Sequence, residues 1–111
     1  MTVNEAIEYT DSVKPNGYAS DIKLRWLNEA EGFVQSEIME VDTSDIKKYT
    51  ESDMSKKLLV PEPYSCLYSF YMMAMIDFMN GDFVKYENSS QAYNNALRSY
   101  AKLYVRKKGN G

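Results

Sequence analysis

Residues 64–81 read YSCLYSFYMMAMIDFMNG, and the fold turns on how that stretch is interpreted. Leu67, Phe70, Tyr71, Ala74, Met75 and Phe78 belong to an apolar surface that covers well over half of a helical circumference. Ser65, Ser69, Asp77 and Asn80 leave one narrow polar stripe, with Met73 among them. Pro63 pre-sets helical geometry at the start, and Gly81 stands where a left-handed C-terminal cap belongs. A helix is therefore predicted over Tyr64–Asn80. Its most apolar part, Cys66–Ile76, contains Ser69 and then meets Asp77. That is short of the roughly 20 apolar residues needed to cross a bilayer, so it reads as a core helix. A helix apolar nearly all round needs neighbours on every side. In a chain of 111 residues, this points to partners beyond its own companion helices.

Upstream, Leu58-Leu59-Val60 is expected to return to the core in extended form, ahead of Pro61 and Pro63. Helical periodicity is lost from Glu40 to Glu62. Within that stretch Asp42-Thr43-Ser44-Asp45 can cap one short turn running to Tyr49, whereas Thr50–Lys57 reads as polar and irregular. A loop of such length inside a small domain is usually functional or mobile. Before it, a second helix runs from Ser20 or Asp21, either a good N-cap, to about Met39. Ile22, Trp26, Leu27, Ala30, Phe33, Val34 and Ile38 fall in one arc, with Trp26 as anchor. A first helix is predicted over Val3–Val13. Thr2 and Glu5 have capping-box spacing, and Val3, Ala6, Ile7, Thr10 and Val13 mark its inner face. Lys14-Pro15-Asn16-Gly17 ends it.

Downstream of Gly81 the longest helix is predicted, from about Asp82 to Arg106. Ser90, Tyr93, Leu97, Tyr100 and Tyr104 follow the 3-4 spacing of a coiled-coil seam. Ser89, Ala92, Ala96 and Ser99 form a stripe of small residues beside it, and Glu87, Gln91, Asn94, Asn95, Arg98 and Lys102 form the wet face. No segment reads as a strand. The expected architecture is all-α: one compact four-helix domain over residues 1–111, with a long polar loop between helices 2 and 3 and a long C-terminal helix.

Composition narrows the chemistry. The chain has no histidine, so Ser-His-Asp and Cys-His arrangements are impossible and the commonest metal ligand is missing. The five glycines are scattered, which leaves no phosphate-binding loop. Glu37, Glu40, Asp42 and Asp45 lack the alternate spacing of a calcium loop and read as a solvated helix end and cap. Asp77 is expected to be paired or wet. Cys66 is the single cysteine and reads as a small buried thiol with no disulfide partner. Met1-Thr2-Val3-Asn4-Glu5 does not begin as a signal peptide, so a soluble intracellular product is expected. No catalytic residue, cofactor or metal is predicted, and the chain is not expected to be an enzyme.

Net charge is −3, and the one basic cluster is Arg106-Lys107-Lys108. That is too little for a face that grips DNA through its phosphates. Ten tyrosines and seven methionines are a different matter. Tyrosine is over-used where a surface is buried against a partner, and methionine adapts to changing neighbours. Tyr68, Met72, Met73, Tyr86, Tyr93, Tyr100 and Tyr104 are therefore the candidate oligomer or partner interface. Arg106, Lys107 and Lys108 are the candidate docking tail.

The run Leu58-Leu59-Val60-Pro61-Glu62-Pro63-Tyr64, with Leu67-Tyr68, Tyr71, Ala74-Met75-Ile76-Asp77 and Asn80-Gly81, resembles the small head–tail connector proteins of tailed phages and prophages of Gram-positive bacteria. So does its continuation through Tyr86, Asn88, Tyr93, Ala96, Tyr100-Ala101-Lys102 and Tyr104. The likeness covers residues 58–106 and rests on core and capping residues; the first two helices carry less of it, and residues 42–57 carry none. It implies an all-helical structural protein of the virion neck, made in the bacterial cytoplasm, which forms a ring beneath the portal. Such a ring extends the DNA exit channel and joins head to tail. The implied partners are the portal protein, the tail or stopper protein and further copies of the chain. Neither sequence-specific nucleic-acid binding nor membrane contact is implied, and no cofactor. Loops and C-terminal segments of this family reorganise on assembly. A mildly acidic protein suits a DNA conduit, because like charge discourages phosphates from sticking. Two other readings fit the same residues. One is a generic helical interaction or regulatory module of antitoxin-like type. The other is a nucleic-acid binder using Arg98, Lys102, Arg106, Lys107 and Lys108.

Overall fold

The computed structural model describes residues 1–109 with their side chains and residue 110 by its backbone. It is an all-α four-helix domain with extents of 43 × 33 × 25 Å. Among the described residues no strand forms; a single antiparallel bridge joins Thr2 and Lys57.

Helix α1 is Val3–Val13, bounded as the sequence predicts. A helix leaves its first four N–H groups without internal partners. Here Val3 and Asn4 donate to the carbonyls of Lys56 (3.0 Å) and Met54 (2.9 Å), Glu5 donates to Thr2 Oγ1, and Ala6 to the Thr2 carbonyl. The capping box is closed by the Thr2 N–H on Glu5 Oε1 at 3.0 Å, and that bond holds the Glu5 carboxyl below the usual carboxylate range.

Helix α2 is Ser20–Phe33. Its N-cap is Ala19, which corrects the expectation of Ser20 or Asp21. Asn16 Oδ1 accepts the Tyr18 N–H, and the turn this closes leaves Ser20 already helical, one residue earlier than expected. Beyond Phe33 the helix continues, wound wider, as a π-helix over Val34–Ile38. Ser36 Oγ and Gln35 Nε2 both donate to carbonyls four residues back, those of Gly32 and Glu31, which favours such a widening. Glu40, at φ 59°, turns the chain away.

Helix α3, Cys66–Met79, is shorter at its start than predicted, because Tyr64 and Ser65 sit in tight turns whose carbonyls accept from Leu67 and Tyr68. Its end is as predicted. Gly81 at φ 74° lets its N–H reach the Phe78 carbonyl and the Asp82 N–H reach that of Asp77, a Schellman cap. Helix α4 is Phe83–Asn110 and continues past Arg106.

Helix α3 is the centre of the molecule and packs against each of the others, most extensively α4. Leu67, Tyr68, Met72 and Ile76 are fully enclosed, together with Val3, Leu27, Val34 and Val60. Asp77 is buried and paired: it accepts from Lys14, the C-cap of α1, and from Ser89 Oγ of α4 at 2.8 Å. One carboxylate thus fastens three helices.

Candidate interaction surfaces

The loop between α2 and α3 is not the irregular segment the sequence suggests over Thr50–Lys57. It holds two 3₁₀ turns: Thr43–Asp45, capped by Asp42 as expected but ending at Asp45 instead of running to Tyr49, and Glu51–Asp53, capped by Thr50. It is also strapped to α2 by side chains. Asn28 donates to the Tyr49 carbonyl (2.9 Å) and accepts the Tyr49 N–H (2.8 Å). Gln35 does the same for Lys47, at 3.0 Å in each direction. Glu31 lies between them, fully buried. Its Oε2 accepts from the Tyr49 hydroxyl (2.8 Å) and the Leu59 N–H (2.9 Å), and its Oε1 from the Tyr68 hydroxyl (2.6 Å). Tyr68 in turn accepts the Val60 N–H at 2.9 Å. Asn28 and Glu31 of α2 and Gln35 of its π-helical continuation stand at i, i+3 and i+7, so one face presents them together. Burial, and with it the bond to Glu31, pushes the hydroxyls of Tyr49 and Tyr68 well above the usual tyrosine range.

This network explains why part of the sequence-predicted interface is not surface at all. Tyr68, Met72, Met73 and Tyr100 are buried within the single chain. Periodicity shows that they are apolar but not that α1, α2, α4 and the strap close over them. Their assignment as interface is corrected to core. Tyr93 is half-buried between α3 and α4, its ring edge-on to Tyr71 at 5.1 Å, and burial raises its hydroxyl to about 12. Tyr104 is half-buried against Tyr100, and Tyr86 half-buried against Phe78. Arg106, Lys107 and Lys108 are exposed as expected, but they extend α4 rather than forming a separate tail. Lys108 lies 3.7 Å from Glu40, an exposed pair of little energetic weight.

The uncovered apolar surface lies elsewhere. Phe78 and Met79 end α3 and Phe83 and Val84 begin α4, all four exposed, with Phe83 61% and Val84 74% exposed. Phe78 stacks against Phe83 at 6.0 Å and Tyr86 at 5.3 Å, so the tip of the α3–α4 hairpin is an aromatic cluster facing water. The sequence held a signal for it: Phe78-Met79 and Phe83-Val84 bracket the tight Gly81 cap, where the chain reverses. Among the described residues no group of side chains could hold a metal ion, and no helix is long and apolar enough to cross a membrane.

Comparison with family models, with curated proteins and with solved structures finds no match to this chain.

Proposed function

We propose that this chain is a head–tail connector of a tailed phage or prophage. In this reading it is a structural subunit that assembles as a ring under the portal, lengthens the DNA exit channel and receives the tail or its stopper. Its place is the virion neck, after a period in the host cytoplasm.

The observation that carries the proposal is the uncovered aromatic tip, Phe78, Met79, Phe83 and Val84. Contiguous apolar patches on a small protein mark interaction sites, and the Phe78–Phe83–Tyr86 cluster, flanked in sequence by exposed Met79 and Val84, is the candidate for one. The likeness of residues 58–106 to connector proteins supplies the kind of partner. The absence of histidine agrees with a structural role, since it removes the usual catalytic base.

The test mixes the purified chain with the portal protein encoded beside it. Ring-shaped density on one face of the portal is expected under the electron microscope. Phe83→Asp is expected to abolish it while leaving helical content intact. Portals that stay bare at saturating chain concentration contradict the proposal.

A further inference from the structure

A ring of identical subunits needs two different faces on each copy, one for the neighbour on either side. Two exposed faces outside the tip match one another in chemistry and length. The first lies on the distal half of α4, where Arg98, Lys102, Val105 and Arg106 line an open groove of about 720 Å³ with Tyr64 on its wall. Val105 is 67% exposed, and among the described residues no carboxylate pairs with Arg98, Lys102 or Arg106. In a chain of net charge −3 this is a local concentration of positive charge beside apolar surface, with Glu37 the acidic neighbour that shares a hollow with Arg98.

The second face is the outer side of α1. Glu5, Glu8, Tyr9, Ser12 and Val13 share it at helical spacing, with Tyr9 52% exposed. Glu8 accepts only the Asn4 amide and Glu5 accepts its own cap; neither forms an ion pair, although the N-terminal ammonium and Lys57 lie near enough to Glu5 to help lower its carboxyl. Each stripe spans nine residues of helix, Glu5 to Val13 and Arg98 to Arg106, eight steps or about 12 Å. One is acidic with apolar centres, the other basic with apolar centres.

We infer that the α1 face of one copy docks in the α4 groove of the next, with Glu8 toward Lys102 and Tyr9 against Val105. The occupant is a second copy of this chain. Because the two patches are different, the contact is heterologous and propagates until the ring closes. The inference rests on the proposed ring and names its subunit contact; the portal-facing tip is a separate surface.

The experiment uses the full chain with Cys66→Ser, Tyr9→Cys and Val105→Cys, oxidised at high concentration and read on non-reducing gels. A ladder of disulfide-linked oligomers is expected, and no ladder when the second cysteine is placed at Val84 instead. Glu8→Lys or Lys102→Glu alone is expected to weaken the ladder about fivefold, the scale of one exposed ion pair, and the two together to restore it. Circular dichroism confirms that each variant is folded. A missing ladder, or one indifferent to the charge reversals, overturns the inference. Portal capture is scored on the same variants. Capture of portal without a charge-dependent ladder overturns this contact and leaves the connector reading standing. A charge-dependent ladder without portal capture supports the contact and counts against that reading.

Discussion

Single residues of this chain show where burial and polarity conflict. The Tyr93 hydroxyl is buried with no hydrogen-bond partner, although its ring is well placed against Tyr71. Removing an unsatisfied hydroxyl while keeping the ring relieves a desolvation penalty. Tyr93→Phe is therefore expected to stabilise the fold by about 1 kcal/mol, read as a higher urea midpoint at unchanged slope. Tyr49, Tyr68, Tyr71, Tyr93 and Tyr100 all hold their protons more tightly than free tyrosine, with burial as the first cause in each. The folded state then binds more protons than the unfolded chain above the ordinary value of 10.0, and stability must fall as pH rises beyond it. Thermal scans from pH 8 upward should show a flat plateau that declines above about pH 10. Tyrosinate absorbance should appear together with unfolding. A melting temperature that holds level through that window contradicts the buried tyrosine network.

Elements differ in how openly the sequence declares them. Helix α1 is legible because its cap is local: Thr2 and Glu5 are three residues apart, and Pro15 stands just past its end. The end of α3 is legible for the same reason, through Gly81. The strap is not, because it depends on Asn28 and Gln35 bonding to the backbone of Tyr49 and Lys47, and such bonds leave no mark on composition or period. Nor does periodicity reveal that α2 widens into a π-helix at Val34, since the apolar arc continues across it. The strap also gives this element its own prediction. Glu31→Ala strands the Leu59 N–H and two tyrosine hydroxyls, and should cost about 3 kcal/mol in urea denaturation. Amide exchange should quicken first at Leu59 and Val60, beyond any uniform loss of protection. Exchange that rises equally along α3 and the strap contradicts the clamp.

At the scale of the molecule, the ten tyrosines are expected to leave several on the surface, but only Tyr9 is exposed; the exposed apolar side chains are mostly of other types. Tyr68, Met72, Met73 and Tyr100 are absorbed by the core, because three helices and the strap wrap α3 more fully than spacing alone reveals. Among the apolar side chains left uncovered, four lie at the hairpin tip, where a Schellman cap reverses the chain with Phe78, Met79, Phe83 and Val84 exposed; Tyr9 and Val105 are exposed on other faces. A helix face can be read from its period. A corner can be read only when two helices are seen to meet.

In the proposed connector role, assembly on the portal covers this corner. Hydroxyl-radical footprinting of Met79 and Phe83, free and in the presence of saturating portal protein, tests it most directly. Rapid modification of both in the free chain and strong protection of both with portal is the predicted result, with Tyr68 unreactive throughout. Equal modification of Met79 and Phe83 in both samples contradicts the account.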